Sequence, residues 1–346
     1  MCPKTFRLGL SGSFKEREPM TVLITGGAGY IGSHMVLDLV GRGETPVVLD
    51  DLSTGFDWLV PDHVPLIRGD ISDQALVRKV IADHEIDTIA HFAAKIVVPD
   101  SVSDPLGYYE SNTAKARNLI DAAVKSGLTK FIFSSTAAVY GEPDEMPVSE
   151  TTRPNPVSPY GRSKLMVEWM LEDARRAHGL QSMMLRYFNV AGADPDARSG
   201  QATPRATHLI KTACEVVTGK RTSISVFGTD YDTRDGTCIR DYIHVSDLAA
   251  AHRLALDYLR AGNQGLMLNC AYGHGATVKE VLESVKRVSG VDFPIECASR
   301  RAGDPAIVVA TGEKIKSVLG FKPQYDDLDL IVKHALAFER KLASLS

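Results

Sequence analysis

The chain has 346 residues, of which 44% are hydrophobic and 24% charged, with a formal net charge of -4. This size suits one large α/β domain or two linked ones, and the composition is that of an ordinary globular protein. No basic tract offers itself to nucleic acid, and no apolar run approaches the roughly 20 residues that a membrane span needs.

Residues 1–19 mix Gly, Ser and charges without periodicity or the apolar centre of a signal peptide, and read as an N-terminal extension, ordered or disordered. Thr21–Thr25 is the first expected strand, Ile31–Val40 the first helix and Pro46–Asp50 the second strand. Further strands are expected at Val64–Arg68, Asp87–Phe92, Lys130–Ser134, Met183–Arg186 and Leu266–Cys270, with helices at Gln74–His84, Tyr109–Ser126 and Tyr160–His178. Continuous apolar strands alternating with helices predict a doubly wound parallel sheet, the Rossmann arrangement. The rhythm weakens after Asn189. Ala191–Pro204 reads as a long loop, and helices at Thr277–Ser289 and Asp327–Leu342 suggest a smaller C-terminal α/β unit. Cys2, Cys214, Cys238, Cys270 and Cys297 form no C-x-x-C pair and read as the reduced thiols of a cytoplasmic protein, and no metal-ligand spacing is present.

Gly26, Gly29 and Gly32 lie between the first strand and the first helix. There they permit a tight turn, close approach of a pyrophosphate, and close packing of helix on strand, with the helix-start amides facing the phosphates. Asp50 ends the second strand a little over 20 residues beyond Gly26, where an acid binds the adenosine ribose hydroxyls. Asp51 adds a second negative charge that would repel a 2′-phosphate, so NAD is expected over NADP. Asp70, after the third strand, is expected either at the adenine edge or as a helix cap.

Tyr160 and Lys164 are four residues apart and share one face of a helix. An ammonium beside a phenol is expected to lower its pKa and make it a general base. The spacing alone also fits a solvated helix face. Thr136, at the end of the Lys130–Ser134 strand, supplies a hydroxyl at the ligand edge of the sheet and completes a proton-handling set.

These residues stand within longer motifs at Gly26–His34, His91–Ala94, Ser158–Lys164, Leu185–Asn189, Asp230–Tyr231, Asp235–Thr237 and Arg240–Val245. With them the chain resembles the UDP-glucose/UDP-galactose 4-epimerase family of the extended short-chain dehydrogenase/reductase superfamily, from about Met20 to the C-terminus. The resemblance implies bound NAD that takes a hydride from sugar C4 and returns it to the opposite face, while Tyr160 handles the O4 proton. It implies further cofactor contacts from Tyr30, Ile31, Ile71, Phe92, Ala93, Ala94, Ser134 and Tyr187. It places the UDP-sugar on Asn189, His208, Leu209, Phe227, Arg240, Arg301 and Asp304. Arginine suits this task because its fork matches two diphosphate oxygens at once. The implied division is a cofactor domain of residues 20–189 plus 240–272 and a UDP-sugar domain of 190–239 plus 273–346, in a homodimer through two helices per subunit.

Several positions depart from the family or refine the reading. Lys95 comes one place earlier than the family's cofactor lysine. His244 reads as structural, with Ser246 capping the next helix. Ala137 and Ala138 stand where a 4,6-dehydratase needs an acid/base pair, which argues against elimination. A non-catalytic NAD-sensing protein would dispense with the Tyr160–Lys164 pair. By the resemblance, Val308 falls where residue size governs room for an N-acetyl group and is smaller than the tyrosine of strict glucose/galactose members, so UDP-N-acetylhexosamines are expected to be accepted as well, and UDP-pentoses and UDP-uronates stay open as substrates.

Overall fold

The computed structural model describes residues 21–203, 206–301 and 305–345. Strand β1 (Thr21–Thr25) leads into α1 (Tyr30–Val40), followed by β2 (Val47–Asp50), β3 (Leu66–Arg68), α2 (Gln74–Asp83) and β4 (Ile86–His91). Then come α3 (Val98–Ser103), α4 (Pro105–Tyr109), α5 (Lys115–Lys125), β5 (Lys130–Thr136), α6 (Pro159–His178) and β6 (Gln181–Tyr187). The chain continues through β7 (Asn189–Ala191), α7 (Leu209–Val217), β8 (Ile224–Phe227), β9 (Ile239–Arg240), β10 (Tyr242–His244), α8 (Val245–Arg260) and β11 (Met267–Cys270). It finishes with β12 (Ala276–Thr277), α9 (Val278–Ser289), β13 (Ile295–Ala298), β14 (Ile307–Val308), α10 (Glu313–Leu319) and α11 (Leu328–Leu345).

Seven strands form one parallel sheet in the order β11-β6-β5-β4-β1-β2-β3. Successive side chains point to opposite faces. Thus Val22, Ile24, Val48, Ala90 and Ile132 pack with Met35 and Leu39 of α1 and Leu248 and Leu256 of α8. Leu23, Leu49, Ile89, Phe131 and Phe133 pack on the other face with α2, α5 and α6 through Val77, Leu119 and Leu171. Strand order runs outward in both directions from the β1/β4 boundary, so the carboxyl ends of β1 and β4 flank the ligand crevice of the doubly wound fold.

Smaller sheets carry the rest: β8 with β13, β9 between β12 and β14, and β7 with β10. Buried carboxylates stitch them to the main sheet. Asp241 accepts the amides of Tyr272 and Gly273, both at 3.1 Å. Asp247 accepts the Tyr272 hydroxyl at 2.5 Å and the amides of Gln324 and Tyr325 at 2.9 Å. His244 is structural, but the expected cap is corrected. The N-cap of α8 is His244 itself, whose Nδ1 accepts the Ser246 amide at 3.0 Å; Ser246 already lies inside the helix, where its hydroxyl cannot cap it.

The helix expected at Tyr109–Ser126 is also broken. A π turn at Glu110–Ala114 separates α4 from α5. It turns Asn112 inward, where Oδ1 accepts the Lys95 amide at 2.8 Å and Nδ2 donates to the Lys95 carbonyl at 2.9 Å. A wider turn that aims a polar side chain at the core is a common device beside functional sites.

Burial holds four histidines neutral: it pulls His34 and His252 down to about 4, and His91 and His244 to about 3. Depressed folded values mean that the unfolded chain binds more protons below the ordinary value of 6.5, so stability is full above that pH and lost as pH falls. Each contributes up to about 1.4 kcal/mol per pH unit inside its window. Thermal unfolding is therefore expected to drop steeply between about pH 6.5 and pH 4; a midpoint flat across that range would contradict neutral burial of these rings.

Candidate active site

The turn after β1 is shaped by backbone contacts. Gly26 has φ 74, and a Cβ there would lie 2.5 Å from the Ala93 amide. A Cβ on Gly32 would lie 2.2 Å from the Gly26 carbonyl oxygen. Gly29 differs: its Cβ would meet only the Gly26 oxygen, at 3.2 Å, so its side is open to a ligand. Gly29 is also the N-cap of α1, with no side chain over the helix end, leaving the amides of Tyr30 and Ile31 to face an anion. The Tyr30 side chain turns away and donates to the Gly192 carbonyl at 2.7 Å, tying α1 to the loop after β7.

Asp50 is buried at the end of β2. Its Oδ2 accepts the Ala28 amide and its Oδ1 the Leu52 amide, each at 2.9 Å, which braces the glycine turn. Burial raises its pKa, and these two amides oppose the rise. Each carboxylate oxygen keeps a second lone pair for a ribose hydroxyl. Asp51 is exposed and accepts the amide and hydroxyl of Ser53 at 2.9 and 2.6 Å. Asp70 pairs with Lys115 and accepts the Ser72 amide at 2.8 Å, while the cap of α2 is Asp73. Asp70 is therefore not a helix cap, and Ile71 beside it is buried. The amides of Phe92 and Ala93 donate to the Thr25 carbonyl at 2.9 and 3.1 Å, which lays this segment over Gly26, with Ala94 half-buried beyond it. An open glycine cradle, a free helix start and an acid with spare lone pairs together fit a dinucleotide.

Lys95 does not turn toward this cradle. Its ammonium sits 3.4 Å from Asp104, half exposed, because Asn112 fixes its backbone and points the side chain outward.

Helix α6 opens with Ser158 as N-cap, its Oγ accepting the Gly161 amide at 3.1 Å, and with Pro159 in the first turn. A Cβ on Gly161 would lie 2.5 Å from the Ala138 carbonyl oxygen, so glycine brings α6 against the end of β5. Tyr160 and Lys164 are thereby buried, at 8% and 3% exposure, beside Thr136 at 8%. Lys164 donates to the Ser134 carbonyl at 2.9 Å, with its ammonium 5.0 Å from the centre of the Phe133 ring. Ser134 Oγ and the Tyr187 hydroxyl are hydrogen-bonded to each other, and Thr136 stands opposite Tyr187 in register.

The electrostatics correct the sequence expectation. The Tyr160 phenol is raised, not lowered: burial pushes it up, and a hydrogen-bonding interaction with Thr136 only partly opposes this. Burial also pulls Lys164 down to about 7, with the Glu168 carboxylate opposing. Desolvation disfavours the charged form of each and is the largest influence on both.

On the small sheets, Arg301 lies over the Phe227 ring, 3.8 Å from its centre, and Arg240 donates to the Ile239 carbonyl at 2.8 Å. Strand β14 pairs Val308 with Arg240, and both Val308 and Ala137 pack on the cluster around Val139 and Leu165, which seats this sheet beside the end of β5. Asn189 donates its amide to the Asp241 carbonyl at 3.0 Å. His208 caps the start of α7, with Nδ1 2.5 Å from Gln201 Nε2, and Leu209 begins the helix. Asp304 lies outside the described residues. Among the described residues no group of His, Cys, Asp or Glu is arranged to hold a metal, and no helix is long and apolar enough to cross a membrane.

Two buried groups escaped the sequence reading. Asn112 lay unmarked inside the helix expected at Tyr109–Ser126; its Nδ2 also reaches Ser163 Oγ at 3.2 Å, linking the β4 loop to α6. Glu168, four residues beyond Lys164, looked like any helical glutamate, yet it pairs with buried Arg186.

The chain belongs to the NAD dependent epimerase/dehydratase family, whose description matches residues 22–271. NAD is the cofactor of that family and the dinucleotide that this cradle takes. More closely, the chain is similar to UDP-glucose 4-epimerases. That of Azospirillum brasilense is 54% identical over 321 residues, which is 93% of this chain and 92% of that protein. The UDP-glucose 4-epimerase from Brucella ovis, crystallised in complex with NAD, superposes with a TM-score of 0.90 at 42% identity, covering 92% of this chain and 98% of that one. The UDP-Glc/GlcNAc 4-epimerase from Campylobacter jejuni superposes at 0.82 with 48% identity, covering 93% and 99%.

Proposed function

We propose that this protein interconverts UDP-glucose and UDP-galactose by transient oxidation at C4, with tightly held NAD. The observation that carries this reading is the buried set of Thr136, Tyr160 and Lys164 at the carboxyl end of the sheet that also bears the glycine cradle. NAD, when bound, supplies the hydride acceptor and donor and a positive ring. Gly26, Gly29, Tyr30, Ile31, Asp50, Asp51, Asp70, Ile71, Phe92, Ala93, Ala94, Ser134 and Tyr187 would hold it, with Tyr160 and Lys164 at the reacting end.

The Tyr160 oxygen takes the O4 proton and later returns it, while Thr136 shares a hydrogen bond with the same sugar oxygen. Lys164 holds positive charge near the phenol and supports its ionised form. A keto group at C4 lets the sugar present its other face, and burial of Tyr160 and Lys164 keeps bulk water from exchanging the proton. Asn189, His208, Leu209, Phe227, Arg240, Arg301 and Asp304 are assigned to the nucleotide sugar. Residues 20–189 with 240–272 form the cofactor unit and 190–239 with 273–346 the sugar-nucleotide unit.

A homodimer fits the surface. Val102 on α3, Leu106 on α4 and Trp169 on α6 are 67%, 78% and 59% exposed, an apolar patch that a second copy would cover. Reduced Cys214, Cys238 and Cys270, all buried, agree with a cytoplasmic place in carbohydrate and galactose metabolism.

The test is incubation of the purified protein with UDP-glucose, UDP-N-acetylglucosamine, a UDP-pentose and a UDP-uronate, without added NAD, followed by separation of epimers. Conversion of UDP-glucose to UDP-galactose is expected. A 4-keto-6-deoxy product, or no conversion even with NAD supplied, would refute the reading.

Val308 favours a second substrate. It is half-buried and much smaller than tyrosine, and the relative from Campylobacter jejuni carries both substrates in its description. UDP-N-acetylglucosamine is therefore expected to turn over as well. Val308→Tyr is expected to lower that activity at least about tenfold relative to UDP-glucose, as a pocket does when it loses the room for a few heavy atoms. Equal loss of both activities, or of neither, would remove Val308 from selectivity.

A further inference from the structure

Helix α6 carries a third charged residue on its active face. Tyr160, Lys164 and Glu168 follow one another at intervals of four residues and so stack along one side. Glu168 is buried at 5% exposure, against Arg186 of β6 at 2%. Arg186 grips it in a fork: Nε donates to Oε1 at 2.9 Å and Nη2 to Oε2 at 2.5 Å. Ser135 Oγ donates to Oε1 at 2.5 Å. The Arg186 guanidinium lies 4.8 Å from the centre of the Tyr140 ring, and the Tyr140 hydroxyl donates to Asn269 Oδ1 at 2.6 Å. Ser135 and Arg186 are register partners on β5 and β6, and the next pair along is Thr136 and Tyr187. The carboxylate is thus locked one step below the reacting edge.

A buried ion pair that only joined helix to sheet could sit anywhere along α6, and apolar residues would often serve as well. Here it lies one helical turn from an ammonium that is itself buried. We propose that Glu168, held by Arg186 and Ser135, is a positioning residue that keeps Lys164 charged and thereby sets the pH range over which Tyr160 works. This rests on the epimerase reading above.

The other groups facing Lys164 supply little opposing charge. From β5 come the Ser134 carbonyl and the Phe133 ring, and from β4 the imidazole of His91, which stays neutral; Tyr160 lies one turn earlier on α6, and the Tyr187 hydroxyl of β6 is bonded to Ser134 Oγ. Glu168 is the carboxylate that raises the proton affinity of Lys164 against burial. Arg186 works in the reverse sense, since it neutralises part of the Glu168 charge.

The two charges therefore make opposed expectations. In the holoenzyme, Glu168→Gln is expected to move the alkaline limb of the kcat–pH profile downward by about one unit, the scale of one close buried charge. Arg186→Met is expected to move it upward. Glu168→Gln combined with Arg186→Met removes both members of the ion pair, so neither is left buried alone and the double variant folds where a single one fails; it is expected to move the limb in the Glu168→Gln direction. A nitrogen NMR titration of the Lys164 ammonium, identified by its loss in Lys164→Met, is expected to shift in the same senses without any turnover. A folded double variant with an unmoved limb and an unmoved Lys164 titration, or single variants that shift in the same direction, would overturn the proposal. Wild-type protein with no activity on UDP-glucose would instead refute the epimerase reading, and the NMR titration would still decide the role of Glu168.

Discussion

Tyr160→Phe is expected to lower kcat for UDP-glucose epimerisation about a thousandfold or more, with bound NAD retained. Positioned acid–base groups contribute roughly 10²–10⁴-fold, and here one oxygen both removes and returns the proton. The substitution deletes that oxygen alone. The ring keeps its edge-on packing against Tyr108, with centroids 6.5 Å apart, so the fold and the cradle are unchanged. Thr136 cannot replace it, because an aliphatic hydroxyl does not ionise near neutral pH, and Ala137 and Ala138 offer no proton acceptor. Because burial raises the Tyr160 phenol, the ionised form needs the positive charge of Lys164 and of the bound nicotinamide nearby. Initial rates in both directions, together with the NAD released on denaturation, check this. Near-wild-type turnover in the variant would mean that another group is the base.

Gly32→Ala is expected to leave the purified protein with about a tenth or less of its NAD and to destabilise it by about 1–3 kcal/mol. The new methyl would lie 2.2 Å from the Gly26 carbonyl oxygen, a backbone atom that no rotamer change can move. Helix α1 must then slide off the turn, and the amides of Tyr30 and Ile31 leave the phosphate position. Gly29→Ala separates the two roles of this turn. Its methyl would meet only the Gly26 oxygen at 3.2 Å, so stability is nearly kept while the methyl stands where the pyrophosphate approaches. Thermal unfolding and the NAD content of each variant give the answer. Full NAD occupancy in Gly32→Ala would show that the cradle does not depend on this helix contact.

Much of the fold was legible because buried parallel strands are continuous apolar runs, as in Thr21–Thr25 and Lys130–Thr136. The glycine turn was legible because its spacing is a steric necessity, which the close approaches at Gly26 and Gly32 bear out. The small sheets were not. Strands of two residues such as Ile239–Arg240 and Ile307–Val308 carry no periodic pattern and exist only through their partners. The break at Glu110–Ala114 was hidden because helix periodicity continues on both sides of it. The proton affinity of Tyr160 was misjudged because adjacency to Lys164 is written in the sequence and depth of burial is not. For the same reason nothing marked Glu168, and the outward course of Lys95 could not be read from its shifted position.

UDP-glucose carrying deuterium on carbon 4 offers the sharpest trial of the mechanism. Incubated with purified protein and no added NAD in ordinary water, it is expected to yield UDP-galactose that keeps the label on carbon 4. Loss of the label to water would mean that inversion proceeds by proton exchange at that carbon, and the roles assigned to Tyr160 and to the dinucleotide cradle would fall together.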